Sequence, residues 1–205
     1  MNSNNPLPEL LRELEAFGKT NDATGPERPK RMLNITRDTG EFLALLVRAT
    51  KAVRILEIGT SNGYSTLWLA SACETAGAHV TTVELSEYKI GLAAENFRRG
   101  QMETFISLHQ GDATAFLSAA SPSSFGFIFL DSERPRYVGW WTDLKRVLAP
   151  SGLLVVDNAT SHPAEMAEFV ALVRTDSAFT TSLVDVGNGE FLAVKGEKRE
   201  AIGLI

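Results

Sequence analysis

The chain has 205 residues, of which 44% are hydrophobic and 22% charged, and its formal net charge is −5. This length and composition favour one globular domain, and the acidic balance argues against a nucleic-acid partner. Cys73 is the single cysteine, which excludes an internal disulfide and a cysteine-based metal cluster. The sequence has neither a membrane-spanning apolar run nor a secretory signal pattern at its start. We therefore expect a cytoplasmic protein without membrane contact.

The first 31 residues differ in pattern from the rest of the chain. Residues 1–8 indicate a loose tail, residues 9–17 a short amphipathic helix, and residues 18–31 a mobile loop rich in Gly, Pro and charge. Leucines form a small apolar stripe on the helix. We expect this segment to contribute to a homodimer contact and to cover the active site of a main domain at 32–205.

From Thr36, a predicted helix cap, helices and strands alternate. Compact apolar runs of the kind buried on both faces predict strands at 53–58, 79–84, 104–109, 125–130 and 152–157. Helical spacing follows at 137–148 and 166–173. At the C-terminal end, residues 180–187 and 190–195 flank Asn188-Gly189, which is typical of a hairpin turn.

This order predicts an α/β, doubly wound, Rossmann-like sheet of about seven strands, mostly parallel with an antiparallel C-terminal hairpin. Ligands of such sheets bind at the carboxyl ends of the strands. All five predicted parallel strands end in an acid or a glycine turn, namely Gly59 to Gly63, Glu84, Gly111-Asp112, Asp131 and Asp157-Asn158.

The first of these ends reads VRILEIGTSNGYS, with Glu57 inside the buried run. The spacing Gly59-x-x-x-Gly63 excludes both a G-x-G-x-x-G dinucleotide fingerprint and a P-loop. Glu84, at the end of the next strand, suits the two hydroxyls of a ribose. A buried carboxylate needs a partner, and Glu57 suits a ligand ammonium or a water network, or else caps a local backbone donor. S-adenosylmethionine is one cofactor with both a ribose and an ammonium group.

A second group of polar side chains follows the fourth and fifth strands. Asp131, Asp157 and Asn158 offer two carboxylates and an amide oxygen, which are hard ligands suited to magnesium, calcium or manganese. The alternative for Asp157-Asn158 is a loop start whose side chains cap the helix before Pro163.

At this point the sequence resembles the S-adenosylmethionine-dependent O-methyltransferases of the catechol and caffeoyl-CoA type, from about residue 32 to 195. The resemblance lies in LNITRDTG (33–40), LEIGTSNGYS (56–65), FIFLDSERPRY (127–137) and LLVVDN (153–158), in that order. It implies the class I methyltransferase fold, S-adenosylmethionine as the cofactor, and a divalent metal held by the last two segments.

The resemblance also implies roles for individual residues. Glu57 and Gly59 would approach the methionine part of the cofactor, Ser65 its carboxylate, and Glu84 the ribose, while Asp112 and Ala113 would border the adenine. The full set implied for the cofactor is Ile35, Glu57, Gly59, Thr60, Gly63, Ser65, Glu84, Asp112, Ala113 and Asp131. The set implied for the metal is Asp131, Asp157 and Asn158.

The implied reaction is metal-dependent methylation of a small-molecule hydroxyl, catechol-like or phenolic, with Asp131 and Arg134 as catalytic residues. Arg134 stands where the family has a lysine base, and an arginine stays protonated. It could stabilise an oxyanion, Glu133 or His162 could take the proton, or the acceptor hydroxyl could be more acidic than a catechol. Rival interpretations are a methyltransferase acting on nitrogen or on a macromolecule, which the absence of an Asn/Asp-Pro-Pro-Tyr segment disfavours, and a non-catalytic cofactor-binding module.

Overall fold

The computed structural model describes residues 5–197, which form a seven-stranded sheet in the order β3-β2-β1-β4-β5-β7-β6. The strands are β1 Arg54–Ile58, β2 His79–Glu84, β3 Ile106–Gln110, β4 Phe125–Leu130, β5 Leu148–Val156, β6 Phe179–Val184 and β7 Glu190–Lys195. Strands β1 to β5 pair in parallel, and β7 runs antiparallel to both of its neighbours. The predicted fold class is therefore confirmed.

Helices cover both faces of this sheet. They are α1 Leu7–Ala23, α2 Arg37–Thr50, α3 Tyr64–Ala76, α4 Glu87–Arg99, α5 Ala113–Ala119, α6 Tyr137–Val147 and α7 Pro163–Arg174. Alternate strand residues point to opposite faces: Ile55 belongs to the core that includes α1 to α4, and Leu56 belongs to the core that includes α5 to α7. Because both faces of the central strands are buried, β1 and β4 read as nearly continuous apolar runs.

Two of the parallel strands begin two or more residues away from the predicted position. β5 begins at Leu148 rather than residue 152, because Leu148 pairs with Phe125 ahead of a register shift. β3 begins at Ile106 rather than residue 104, because Glu103–Phe105 forms a 3₁₀ turn. Thr36 caps α2 as predicted, with its hydroxyl accepting the Thr39 amide.

The N-terminal prediction is wrong in its limits. The helix runs from Leu7 to Ala23, so the loop predicted from residue 18 begins six residues later. The leucines of α1 are buried in the core that the sheet shares, and Gly18 lies so close to Asn34 that an added Cβ would be 2.5 Å from its Nδ2. The first four residues of the predicted tail lie outside the described range. Within that range, no helix has the length and hydropathy needed to cross a bilayer.

The C-terminal hairpin turns over five residues, 185–189, because β6 ends at Val184 rather than residue 187. Gly187 and Gly189 adopt positive φ angles, and the carbonyls of Asn188 and Gly189 accept amide hydrogens from Ala159, Thr160 and Ser161 at 2.8–3.1 Å. The turn is thereby tied to the loop that follows β5, which brings Asn188 to the carboxyl edge of the sheet.

Candidate active site

A cavity of about 790 Å³ lies at the carboxyl ends of β1, β2, β4 and β5, within the size range of small-molecule sites. The segment between α1 and α2 covers it, with Arg28, Pro29, Met32, Leu33 and Asn34 on the wall. Asp22, at the end of α1, holds this segment by accepting the amides of Met32 and Leu33 at 2.8 and 2.9 Å. This segment, residues 24–36, therefore forms a strap along one wall of the cavity, anchored by the leucine-rich helix.

The glycine turn after β1 is the tightest point of the wall. Gly59 has a φ of +107°, and a Cβ placed on it would lie 1.9 Å from the carbonyl oxygen of Asp131. Gly63 has a φ of +86°, and its Cβ would lie 2.5 Å from the ring of Phe97. Both positions therefore require glycine, for backbone conformation and for close approach.

Glu57 lies behind this turn with no exposed surface. Its carboxylate accepts hydrogen bonds from the hydroxyls of Ser65 at 2.6 Å, Thr82 at 2.6 Å, and Thr66. Three side-chain hydroxyls thus pair the buried acid, rather than the backbone donor considered from the sequence, while contact with a ligand ammonium stays a prediction. The network ties β1 to β2 and to the first turn of α3.

Burial raises the pKa of Glu57 to about 7, although its three hydroxyl partners oppose the shift. Because the folded protein holds a proton that the unfolded chain releases, stability should fall as the pH rises from about 4.5 to about 7 and then level off. We expect Glu57→Gln to remove this loss, so that its stability relative to wild type rises by ~2–3 kcal/mol between about pH 5 and pH 8.

Urea unfolding of both proteins across that pH range measures the difference. Glu168→Gln, which neutralises an exposed acid on α7, is the matched control and should run parallel to wild type. A constant difference between Glu57→Gln and wild type at every pH would contradict the prediction.

Glu84 stands on the cavity wall with its carboxylate already oriented. Its two oxygens accept the amides of Ser61 and Ser86, each at 2.9 Å. The remaining lone pairs are available to hydroxyl donors, because a carboxylate has about four acceptor positions. Ser61 also donates its hydroxyl to the carbonyl of Met32 at 2.7 Å, which links this wall to the strap.

Asp112 lies on the same side of the cavity in an ion pair. Arg136 donates to its carboxylate at 2.8 Å, and Asp112 caps α5 by accepting the Thr114 amide at 2.8 Å. The Arg136 guanidinium, followed by the Thr114 contact, lowers the pKa of Asp112 to about 2. Arg136 also lies over the ring of Trp140, whose indole donates to the Thr114 hydroxyl. Asp112 therefore remains a carboxylate at any working pH.

Two further carboxylates meet where β4 and β5 end. The side-chain nitrogen Nδ2 of Asn158 donates to the Asp157 carboxylate at 2.8 Å and lies 3.4 Å from an oxygen of the Asp131 carboxylate. Burial, followed by the charge of Asp157, raises the pKa of Asp131, while Arg134 opposes the shift. Burial likewise raises the pKa of Asp157. The structure thus brings together all three residues predicted as metal ligands.

Glu190, on β7, lies beneath this pair and was missed from the sequence. It is fully buried and accepts the Thr39 hydroxyl at 3.2 Å. Burial, followed by the charge of the neighbouring Asp157, raises the pKa of Glu190 to about 10, which favours its protonated form. In the sequence, Glu190 looks like an ordinary residue of a hairpin strand. Only the pairing of β7 with β5 places it beside the acid pair.

Arg134 faces the acid pair from the turn after β4. Glu165 on α7 accepts its Nε–H at 2.8 Å, and the arginine side chain is only 15% exposed. His162 precedes α7 on the same side of the cavity, with Nδ1 2.9 Å from the Ser161 hydroxyl. Trp140 also lines the cavity, whereas Trp141 packs between Phe169 and Phe179 in the core.

The residues expected to bind a cofactor fall into two groups. Those on the cavity wall are Gly59, Glu84, Asp112, Ala113 and Asp131. Those behind it are Ile35, Glu57, Thr60, Gly63 and Ser65, which are buried or shape the turn. Cofactor contact for either group stays a prediction. Sequence reasoning gave neither Arg136, in the segment 127–137, nor Asn188, in the predicted hairpin turn, a role in the site, because tertiary contacts bring them to the cavity.

The sheet order, the glycine turn after the first strand and the cavity at the carboxyl edge together define a class I methyltransferase fold. The family model of the O-methyltransferases matches residues 2–195, and the chain belongs to that family. The O-methyltransferase TomG of Streptomyces achromogenes, solved in complex with S-adenosylmethionine, superposes with a TM-score of 0.76 at 25% identity over 92% of this chain and 90% of its own.

Curated relatives agree with this assignment. A catechol O-methyltransferase of Niastella koreensis is 31% identical over 131 residues, which is 62% of this chain and 58% of that protein. A catechol O-methyltransferase of Mycobacterium tuberculosis is 30% identical over 134 residues, which is 65% of this chain and 60% of that protein. The matched stretch therefore spans about three fifths of these two relatives.

Proposed function

We propose that this protein transfers the methyl group of S-adenosylmethionine to a hydroxyl of a small molecule, with a divalent cation at the acid pair. The observation that carries the proposal is the juxtaposition, in one cavity, of an oriented Glu84 carboxylate and the Asp131–Asp157–Asn158 cluster. Family membership supports methyl transfer to oxygen, and the catechol O-methyltransferases among the relatives favour a phenolic acceptor.

The cavity fits the cofactor by its chemistry. Glu84 presents free acceptor positions suited to a ribose diol, and Gly59 leaves room where any side chain would collide with Asp131. Bound S-adenosylmethionine would supply a methyl group activated by its sulfonium charge. Gly111, Ala113 and Trp140 offer small and flat surfaces for the adenine ring of the cofactor.

The donor set fits a hard cation. Within residues 5–197, no group of three or more His, Cys, Asp or Glu side chains is arranged to hold a metal ion. The proposed metal ligands are therefore two carboxylates and one amide. Magnesium binds such sparse sets because water and substrate complete its shell. Rotation of the Asn158 side-chain amide would turn its oxygen toward the metal. The Ser161 hydroxyl, which can donate or accept, would remain a hydrogen-bond partner of the rotated amide. A bound cation would lower the pKa of a hydroxyl beside it.

The chain's own residues then orient and shield the acceptor. Asp131, one of the acid pair, also lies against the glycine turn at Gly59, and the acceptor hydroxyl would meet the methyl donor beside it. Arg134, held by Glu165, keeps a fixed positive charge beside that position and would stabilise the oxyanion. Pro29, Met32 and Leu33 of the strap line the cavity and would shield the acceptor from water. Because a displacement on carbon depends on alignment, this positioning would supply much of the rate.

Arg134 tests this mechanism. We expect Arg134→Ala to lower kcat by about 10- to 100-fold, because removing one charged stabiliser costs on the order of 1.5–3 kcal/mol. Arg134→Lys should keep more activity and introduce a titrating group into the pH–rate profile on the alkaline side. Full activity in Arg134→Ala, combined with loss of activity in His162→Ala, would refute the electrostatic role and make His162 the base.

The function itself is tested by methyl turnover. Purified protein is incubated with labelled S-adenosylmethionine and catechols, phenolic acids or flavonoids, with and without EDTA. We expect transfer to at least one acceptor and loss of transfer with EDTA, restored by magnesium. A binding module would retain the cofactor without converting it, and transfer only to amines or macromolecules would favour the rival class.

A homodimer in the cytoplasm remains part of the proposal. α1 contributes to the core, so deleting it would disturb folding, and the test uses the full chain. Light scattering at micromolar concentration should give twice the chain mass, and a monomer would contradict the dimer.

A further inference from the structure

One arginine on the wall of the active-site cavity has no acidic partner. Arg28, in the strap, lines this cavity and is exposed. It forms an ion pair with no acid in residues 5–197. Asp22, the acid that anchors the strap, accepts the amides of Met32 and Leu33 instead. The mechanism of methyl transfer gives Arg28 no role.

Arg28 belongs to the acceptor side of the cavity. The hydrogen bond and charge of Arg134, then the charges of His162 and Arg28, lower the pKa of Glu165. Burial raises the pKa of Asp157, and the charges of Arg134 and His162 oppose that shift. Arg134 and His162 are therefore near both acids. They connect the proposed metal position to Arg28 along one stretch of the cavity wall.

This stretch presents positive charge to the cavity. Glu165, which pairs with Arg134 at 2.8 Å, is not part of the wall. The wall acid Glu133 acts elsewhere: the hydrogen bond and charge of Asp112, and after these the charge of Glu133, raise the pKa of Arg136. An acceptor with a negative group at the far end from its reacting hydroxyl would therefore meet an arginine that no acid of the described residues pairs.

We propose that the methyl acceptor is a phenolic acid, with its hydroxyl at the acid pair and its carboxylate bound by the guanidinium of Arg28. This inference rests on the proposed function, because it names the acceptor class of that same cavity. A guanidinium binds a carboxylate through two parallel N–H donors. Because Arg28 is exposed, the carboxylate would keep part of its hydration and avoid most of the cost of burying a charge.

Three acceptors of similar shape measure the effect of charge: 3,4-dihydroxyphenylacetate, its neutral methyl ester, and the cationic 3,4-dihydroxyphenylethylamine. Wild type with magnesium and saturating S-adenosylmethionine should have a kcat/KM about tenfold higher for the acid than for the ester, because a hydrogen bond to a charged group is lost with the ester. The difference should lie in KM, since Arg28 would bind the acid equally before and during reaction. The amine should rank below the ester.

Arg28→Gln should lose the preference for the acid and keep the wild-type kcat for the ester. Lys30→Gln removes a cation of the same 3₁₀ turn, Arg28–Lys30, that does not line the cavity, and it should keep the preference. Lys89→Gln, at a wall cation of α4, should also keep it. Equal use of acid and ester by wild type overturns the proposal, as does a preference that survives in Arg28→Gln.

Calorimetry distinguishes a failure of this inference from a failure of the proposed function. The full-length protein with magnesium and S-adenosylhomocysteine is titrated with the acid and with the ester, so no turnover is needed. The acid should bind about tenfold more tightly to wild type and equally to Arg28→Gln. Tighter binding of the acid without methyl transfer to any hydroxyl would refute the proposed function alone. Methyl transfer without this difference in binding would refute the role of Arg28 alone.

Discussion

Asp157→Asn is expected to lower methyl transfer by about a thousandfold, because a metal ion contributes several kcal/mol to stabilising the transition state. The same change should raise the unfolding midpoint of the metal-free protein at neutral pH. Burial raises the pKa of Asp157 in the folded state, so its charged form costs stability above that pKa. Asparagine removes the charge. Its side-chain oxygen can still accept the backbone N–H of Asn158, which Asp157 accepts at 2.6 Å.

Opposite changes in activity and stability distinguish a metal ligand from a structural residue. Thermal unfolding in EDTA and turnover in magnesium are measured on the same preparation, and magnesium should stabilise wild type but not the variant. Asp185→Asn, at an exposed acid of the hairpin turn, is the control and should leave both unchanged. If the variant keeps wild-type activity in magnesium, the metal proposal fails at Asp157.

Glu84→Ala is expected to weaken S-adenosylhomocysteine binding about 30- to 1,000-fold, since two hydrogen bonds to a charged acceptor are worth on the order of 2–4 kcal/mol. The change also leaves the Ser61 and Ser86 amides without their acceptor, which would loosen the wall itself. Glu84→Gln separates the two effects, because its amide oxygen can still hold one of those amides while the charge is lost.

Calorimetric titration with S-adenosylhomocysteine measures the affinities. Glu87→Ala removes an exposed acid three residues along the chain, in the first turn of α4, and should bind as wild type does. Glu84→Gln should fall between wild type and Glu84→Ala. An unchanged affinity in Glu84→Ala would remove Glu84 from the cofactor site.

Much of the fold could be predicted because its signals are local. The apolar runs at β1, β2 and β4 define buried strands whichever neighbours they pair with, and Thr36 caps α2 through a contact three residues away. The helix α1 was predicted too short because its last residues are polar. What extends it is contact with the strap, through Gly18 with Asn34 and Asp22 with Met32 and Leu33.

The candidate site likewise has a part that local sequence predicts and a part that depends on tertiary contacts. By itself, the sequence determined that five strand ends carry acids or glycines, and parallel topology then requires those ends to share one edge. Only the tertiary structure decided which of these side chains reach the cavity. Glu57 lies within β1, and its carboxylate accepts hydrogen bonds from three hydroxyls of β2 and α3. Glu84 is the last residue of β2, and it lines the cavity. Glu190, Arg136 and Asn188 come to the site through strand pairing and helix packing between distant segments, which no local pattern encodes.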